Sequence, residues 1–330
     1  MSSQSSKAIS RKELIQMYRM MVTIRTFEQR EAELYRQGLQ DGFVHLYLGE
    51  EAIATGVCAV LRKDDYITST HRGHGHLIAR GGDLKKIMAE LFGRETGYCK
   101  AKGGSLHIAD FDLGMLGANG IVGGSIPIAT GAGLSAKIRG TDQVTACFFG
   151  DGATNQGAFH EALNMASTWK LPVIYVCENN GYGVTTPISR VSNVADDLSV
   201  RAKAYGIRGV NIDGNDVLQV YATTAAAVVR ARRGEGPTLI VCVTCRHSGH
   251  YEGEMESSPA YRTEEEIAEC KKRDPIPRFR RYLTEEEHVS EADLNAIDKE
   301  VVALVEEAVR FAQESPRPKP ETAVEDLFAY

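Results

Sequence analysis

Apolar residues recur at helical spacing near the start of the chain, between Leu14 and Phe27. Ser10 and Glu13 precede this run as a capping box, so we predict a first helix that ends near Arg36. The same periodicity returns further along the chain. It predicts helices over residues 50–61, 84–92, 155–168, 217–232 and 285–313. An extended, proline-rich segment follows the last of them.

Short runs between the helices have the character of strands. They cover residues 65–69, 144–149, 173–177 and 238–243. Apolar strands that alternate with helices are typical of a parallel sheet whose two faces are both covered. We therefore predict an α/β fold with a parallel sheet and helices on both faces.

The pattern also predicts how the chain is organised. We find no repeat and no linker in the sequence that would divide it. We predict one α/β domain over residues 1–330, with residues 1–12 flexible and residues 285–330 forming a C-terminal helical extension. Residues 93–133 are rich in glycine, and we predict turns there.

Composition and charge argue against several classes of protein. The net charge of −6 is unlike that of a nucleic-acid-binding protein, which usually carries a basic face. We see no run of the ~20 apolar residues that a membrane span needs. The N-terminus lacks the apolar core of a signal peptide and the arginines of a transit peptide, so we predict a cytoplasmic protein.

The seven cysteines indicate little chemistry. Cys147, Cys177 and Cys242 lie in apolar runs, where a thiol packs as a small core residue. Cys242 and Cys245 form one C-x-x-C pair, but a zinc or thioredoxin-like site needs further context. We interpret the pair as structural and expect a reducing compartment.

The clearest chemical signal lies where a predicted strand ends. Gly150, Asp151 and Gly152 follow the strand at 144–149 and open the next helix. In an open parallel sheet, ligands bind beyond the carboxyl ends of the strands, and a helix N-terminus suits phosphate. An acid beside a phosphate needs a bridging cation, and magnesium binds both kinds of oxygen.

A second polar group follows the next strand, at residues 178–183, and it contains Asn179 and Asn180. Each motif alone is a common turn. Their occurrence after consecutive strands predicts that they meet at one edge of the sheet and form a magnesium and phosphate site.

A different motif suggests a rival function. Gly131, Gly133 and Ala136 match the dinucleotide fingerprint, and Asp151 follows at the spacing of a ribose-binding acid. Pro127 makes the preceding segment a poor first strand, because proline cannot donate to a central ladder. We therefore interpret these glycines as close helix packing and keep an NAD-dependent dehydrogenase as an alternative.

Two further segments carry candidate chemistry. His71, His74 and His76 could bind a metal on spacing alone, but the glycines between them indicate a loop, and we do not expect metal there. Residues 246–261 are polar, follow a strand and contain Gly and Pro, which is typical of a mobile active-site loop.

The spacing of the two strand-end motifs resembles a known signature. Gly150–Asp151–Gly152 and Asn179–Asn180, with 26 residues between them, resemble the thiamine-diphosphate motif. From about Met17 to Tyr282 the chain is similar to the alpha subunit of the decarboxylating component of 2-oxo acid dehydrogenases, and the pyruvate and acetoin branches fit best. The supporting motifs are residues 42–47, 102–107, 120–123, 150–157, 161–165 and 169–172.

The resemblance implies a thiamine-diphosphate-binding fold in which this chain is the diphosphate-binding domain. Magnesium would be bound by Asp151, Asn180 and the backbone carbonyl of Tyr182. The other cofactor contacts would come from His71, Arg72, Gly120, Val122, Gly152, Ala153 and His250. Catalysis would depend on His250, His45 and Arg246.

Two positions depart from the family pattern. His71 stands where a tyrosine usually precedes the arginine. Residues 251–254 read Tyr-Glu-Gly-Glu, where the pyruvate enzymes of animals carry a regulatory serine. The second departure favours the acetoin branch.

The activity that the resemblance implies is cleavage of the C–C bond next to a carbonyl, in pyruvate or acetoin. The acyl group would pass to lipoyl on a partner acyltransferase. The glutamate that activates the cofactor belongs to a second α/β domain, for which this chain has no room, so we expect a beta subunit and an α2β2 heterotetramer. A branched-chain 2-oxo acid dehydrogenase and a non-catalytic assembly subunit remain alternatives.

Overall fold

The computed structural model describes residues 9–40, 42–254 and 261–326. Its helices are α1 (Arg11–Arg36), α2 (Glu51–Cys58), α3 (Gly73–Ala79), α4 (Leu84–Leu91), α5 (Ser125–Arg139), α6 (Gly157–Thr168), α7 (Val217–Arg232), α8 (Glu264–Lys272), α9 (Pro275–Glu285) and α10 (Glu291–Glu314). Its strands are β1 (Tyr66–Thr68), β2 (Thr145–Gly150), β3 (Val173–Asn179), β4 (Tyr182–Gly183), β5 (Thr186–Pro187), β6 (Arg208–Asp213) and β7 (Thr238–Val243). Short 3-10 helices cover Asp151–Asn155, Ile188–Arg190, Leu198–Tyr205 and Pro320–Val324.

Five parallel strands form the central sheet, in the order β1, β2, β3, β7, β6. Strands β1, β2 and β3 lie side by side in chain order. The next strand of this sheet, β6, forms the opposite edge, and β7 lies between β6 and β3. The carboxyl ends of the central strands lie level, since Gly150 pairs with Glu178 and Glu178 pairs with Cys242. This edge, where the succession of strands reverses, is the usual ligand site of such a sheet.

Alternating residues of the strands divide the core between two layers. Phe148 and Val176 face a layer that includes α1, α2, α7 and α10. Phe149 and Tyr175 face the other layer, which includes α5 and α6. The predicted α/β fold, with a parallel sheet covered by helices on both faces, is therefore confirmed.

The first helix follows its sequence pattern closely. The Ser10 side chain caps α1 by accepting from the backbone N–H of Glu13. The Glu13 side chain in turn accepts from the backbone N–H of Ser10 at 2.7 Å. Helix α1 already includes Arg11 and Lys12, which lie in the range predicted to be flexible. Residues 1–8 lie outside the described residues. In the part of the chain that the structure describes, no helix is long and apolar enough to cross a membrane.

Several elements differ from the prediction. The predicted turns after residue 124 are helix α5, and the predicted histidine loop contains helix α3. The predicted tail helix begins at Glu291, because a separate helix, α9, ends at Glu285. The tail packs its apolar face into the core through Leu294 and Val301, which are both fully buried.

Two kinds of element were missed because their sequences lack an apolar run. Strand β6 reads Arg-Gly-Val-Asn-Ile-Asp and is largely exposed at the edge of the sheet. Helix α8 has a single buried residue, Cys270. Neither segment buries enough apolar surface to leave a periodic signal.

The cysteines follow the prediction in part. Cys147, Cys177 and Cys242 are free and fully buried, as expected of core residues. Cys242 and Cys245 do not pair. Cys245 forms a disulfide with Cys270, which ties the end of β7 to helix α8.

The rival dinucleotide motif lies inside a helix. Gly131 and Gly133 occupy the middle of α5 rather than a turn between a strand and a helix, so the dinucleotide interpretation is wrong. A Cβ atom on Gly133 would lie 2.5 Å from Cγ2 of Val173, whereas one on Gly131 would meet nothing within 4 Å. Only Gly133 therefore serves close packing of the helix on the sheet.

This difference predicts opposite effects of two matched substitutions. We expect Gly133→Ala to lower the free energy of unfolding by about 1–3 kcal/mol, since the added methyl group overpacks the contact with β3. Gly131→Ala should be neutral or raise it by up to ~1 kcal/mol, because alanine is the better helix former. Urea unfolding of the purified protein measures both, and equal effects of the two substitutions would contradict the packing role of Gly133.

Candidate active site

A cavity of about 210 Å³ opens at the carboxyl ends of β2 and β3. It lies at the edge where the two strand-end motifs were predicted to meet. Among the predicted site residues, those that line it are His45, His71, Arg72, Gly120, Val122, Asp151, Gly152, Ala153, Asn180, Tyr182 and His250. Arg246 lies behind the cavity and contacts His250.

Asp151 begins the 3-10 turn that follows β2, and it is almost fully buried. Its Oδ2 atom has no hydrogen-bond partner among the described residues. Burial raises the pKa of this carboxyl to about 6. A buried carboxylate oxygen with a free lone pair is the kind of group that a bound cation satisfies.

Asn180 follows β3 and turns its amide into the same cavity. Its Nδ2 donates to Oε1 of Glu50 at 2.9 Å, and its Oδ1 accepts from the backbone N–H of Tyr182 at 3.3 Å. The Tyr182 hydroxyl donates to Glu266 at 2.7 Å. The structure thus brings the three predicted metal ligands, Asp151, Asn180 and Tyr182, to one edge of the sheet.

Two buried arginines hold His250 in one protonation state. Nη2 of Arg72 and Nη1 of Arg246 each lie 3.1 Å from Nδ1 of His250. A guanidinium group can only donate, so Nδ1 must be the acceptor and the proton of the neutral ring sits on Nε2. Burial and the two positive charges lower the pKa of His250 to about 2.

Three imidazoles gather at the mouth of the cavity. The ring of His45 lies 4.8 Å from that of His71 and 4.9 Å from that of His250, measured between centroids. Burial and Arg72 lower the pKa of His45 to about 4 and that of His71 well below its ordinary value. All three rings are therefore neutral at neutral pH, and they offer hydrogen bonds rather than charge.

The other two histidines of the 71–76 segment do not join this group. His74 contacts Glu28 at 3.3 Å, and His76 contacts Glu178 at 3.0 Å, both inside the protein. Because these side chains point to different partners, His71, His74 and His76 do not come together around one point.

Sequence reasoning missed two buried acids of the cavity. Glu50 and Glu178 both line it and are 1% and 3% exposed. Glu178 accepts from the Tyr47 hydroxyl and from His76, whose other nitrogen lies 2.7 Å from the Ser69 hydroxyl. Glu178 lies within the recognised 178–183 motif, whereas Glu50 reaches the site only through the packing of α2 against helices α1, α3 and α7.

Hydrogen bonds hold the described part of the segment that follows β7. Arg262 donates to the carbonyl of Arg246 at 2.7 Å, and Arg246 donates to the carbonyl of Val184 at 3.0 Å. Residues 255–260 of the predicted loop lie outside the described residues. The mobility of residues 246–261 stays a prediction.

The sequence of the chain is similar to those of known proteins. The family model described as "Dehydrogenase E1 component" matches residues 18–321. The alpha subunit of acetoin:2,6-dichlorophenolindophenol oxidoreductase from Bacillus subtilis (strain 168) is 50% identical over 322 residues, covering 97% of this chain and 95% of that protein. The subunit of the same name from Cupriavidus necator is 45% identical over 331 residues, with 99% and 98% covered. The chloroplastic pyruvate dehydrogenase E1 component subunit alpha-3 of Arabidopsis thaliana is 42% identical over 332 residues, with 98% and 76% covered.

The family match and the two strand-end motifs together define a thiamine-diphosphate-dependent class of enzyme. The acid and the amide of these motifs line one cavity. The chain belongs to the dehydrogenase E1 component family, and it resembles the alpha subunits of that component along nearly its whole length. The family match extends beyond the predicted limit at Tyr282 and includes helix α10.

The neutral histidines predict a pH dependence of stability. His45 has a folded pKa of about 4, below its ordinary value of 6.5, so the unfolded chain takes up a proton first as the pH falls. The free energy of unfolding therefore keeps the whole contribution of neutral His45 above pH ~6.5 and loses it as the pH falls towards ~4. In this window the free energy of unfolding of His45→Gln should fall less steeply with decreasing pH than that of the unsubstituted protein. The two slopes should differ by up to ~1.4 kcal/mol per pH unit. Urea unfolding of the cofactor-free protein between these pH values tests this, and parallel curves for the two proteins would refute it.

Proposed function

We propose that this chain is the alpha subunit of a thiamine-diphosphate-dependent acetoin dehydrogenase. The observation that carries the choice of substrate is the identity to the two acetoin-type subunits, 50% and 45%, against 42% to the pyruvate-type subunit. The sequence after His250, which lacks the serine of the animal pyruvate enzymes, supports the same choice. Oxidative decarboxylation of pyruvate is the second candidate, supported by the third relative.

We propose magnesium as the metal and Asp151, Asn180 and the Tyr182 carbonyl as its protein ligands. The support is the donor set, since carboxylate, amide and carbonyl oxygens are what magnesium prefers. The free Oδ2 of Asp151 supplies the buried acceptor that such an ion would satisfy.

The cofactor contacts follow from the lining of the cavity. Gly152 and Ala153 open the turn after β2, so their backbone N–H groups can face the diphosphate. Arg72 and His71 line the same cavity and would contact the cofactor there. Gly120 and Val122 also line the cavity and would hold the pyrimidine ring through backbone groups. Bound thiamine diphosphate would supply the electron sink for cleavage of a C–C bond next to a carbonyl.

We assign proton handling to His250, with His45 and Arg246 in support. Because Nδ1 of His250 accepts from Arg72 and Arg246, its Nε2–H is the group that can donate to a substrate oxygen. His45 is neutral for the same electrostatic reason and lies beside it. The two arginines restrict His250 to one tautomer, so the donor is positioned before substrate binds.

We also propose a beta subunit, an α2β2 assembly and transfer of the acyl group to lipoyl on a partner acyltransferase. Ile121 and Val122 support a protein partner, since they stand beside the cavity and are 72% and 50% exposed. The 330 residues would form one diphosphate-binding domain with residues 285–330 as its helical extension. We propose a cytoplasmic location on the free thiols of Cys58, Cys99, Cys147, Cys177 and Cys242. Among the described residues, the Cys245–Cys270 disulfide is the one observation that runs against a reducing compartment.

Asp151→Ala tests the metal site. We expect this variant of the assembled protein to lose magnesium-dependent binding of thiamine diphosphate by at least about 100-fold, because a direct ligand contributes more than the outer-shell groups. Calorimetry with and without Mg²⁺ measures it. Asp142→Ala removes an exposed acid elsewhere and is the matched control. Unchanged cofactor affinity in Asp151→Ala would refute the assignment.

A substrate comparison tests the activity. The complex of this chain with its co-purified partner is assayed with acetoin, pyruvate and a branched-chain 2-oxo acid, using an artificial electron acceptor. We expect kcat/KM for acetoin to exceed that for pyruvate by at least about tenfold, since the substrates differ in a charged carboxylate. A preference for either oxo acid would overturn the choice of acetoin. Turnover by the chain without a partner would overturn the proposal of a beta subunit.

A further inference from the structure

We propose that Glu50 is a positioning residue of the metal site. It orients the side-chain amide of Asn180 so that the amide oxygen, rather than the amide nitrogen, faces the metal. This inference rests on the proposed function, because it concerns the magnesium that we assign to the cavity.

The geometry places Glu50 in direct contact with the ligand. Oε1 of Glu50 accepts from Nδ2 of Asn180 at 2.9 Å. Glu50 lines the cavity and is 1% exposed, and its contact with Asn180 is partly buried.

An asparagine amide needs such a partner because its two ends have almost the same shape. The oxygen accepts and binds metals, whereas the NH2 group only donates and would repel a cation. With Nδ2 bound to Glu50, Oδ1 is left on the opposite side, where the backbone N–H of Tyr182 lies at 3.3 Å. Rotation of the amide would place the Asn180 oxygen against the Glu50 carboxylate, two acceptors in contact.

The position of Glu50 is itself set by the fold. Glu50 caps the start of helix α2, whose eight residues are all buried, and its carbonyl accepts from the backbone N–H of Ile53 at 3.0 Å. The backbone from which the Glu50 side chain extends is therefore held at the start of a buried helix. Its second oxygen, Oε2, has no hydrogen-bond partner among the described residues. That oxygen is a free acceptor for a donor that arrives with the ligand, such as a water molecule on the metal.

Three variants of the assembled protein test the inference, with Mg²⁺ affinity in the presence of thiamine diphosphate measured by calorimetry. Glu50→Ala should weaken Mg²⁺ binding about 10- to 100-fold, as loss of an outer-shell partner does. Glu50→Gln keeps an acceptor oxygen for Asn180 and should stay within about threefold of the unsubstituted protein. In the Asn180→Ala background, Glu50→Ala should weaken binding no further, because its effect acts through Asn180.

Glu31→Ala is the matched control. Glu31 is also a fully buried acid that accepts from a side-chain amide, Nε2 of Gln40 at 2.8 Å, but it does not line the cavity. Its substitution should leave Mg²⁺ affinity unchanged. Thermal unfolding of each variant without cofactor shows whether the protein is folded.

The outcomes separate the two proposals. If the unsubstituted protein binds no Mg²⁺ with thiamine diphosphate, the proposed function fails. If it binds and Glu50→Ala binds equally well, the positioning role is wrong. Equal losses in Glu50→Ala and Glu50→Gln, or a further loss in the Asn180→Ala background, would also overturn it, since either shows that Glu50 acts by its charge and not through the amide.

Discussion

Buried charge is the constraint on which the rest of this site depends. Arg72 and Arg246 are 4% and 1% exposed, and Asp151, Glu50 and Glu178 share the cavity with Arg72. Taking an ion out of water costs several kcal/mol unless partners compensate it. The compensation here is incomplete, because one carboxylate oxygen of Asp151 and one of Glu50 have no hydrogen-bond partner among the described residues. A site with free buried acceptors is prepared for a ligand that brings positive charge and hydrogen-bond donors.

The same charges decide what the histidines can do. Burial and the neighbouring arginines lower the pKa of His45 and His250, so both rings stay neutral well below neutral pH. The arginines also occupy Nδ1 of His250, which leaves its Nε2–H as the hydrogen-bond donor of the ring. The proposed binding of an anion and the proposed proton donation would therefore share one cause, the pair of buried guanidinium groups beside the ring.

The sequence predicted the parts of this site that follow from strand order. Asp151 and Asn180 each come after an apolar strand, and parallel strands on neighbouring positions bring such residues together. Glu50 could not be found in this way, because it joins the site through the packing of α2. Helix α3 was missed because its glycines suggested a loop. At one of them, Gly75, the backbone approaches the ring of Tyr47 so closely that a Cβ atom would overlap it.

We propose that the residues at the edge of β2 and β3 would hold a metal ion together with the diphosphate of the cofactor. Electron–nuclear double resonance with Mn²⁺ in place of Mg²⁺ tests this directly in the assembled protein. We expect phosphorus hyperfine coupling to the bound Mn²⁺ when thiamine diphosphate is present. Mn²⁺ that binds together with the cofactor but shows no phosphorus coupling would contradict it.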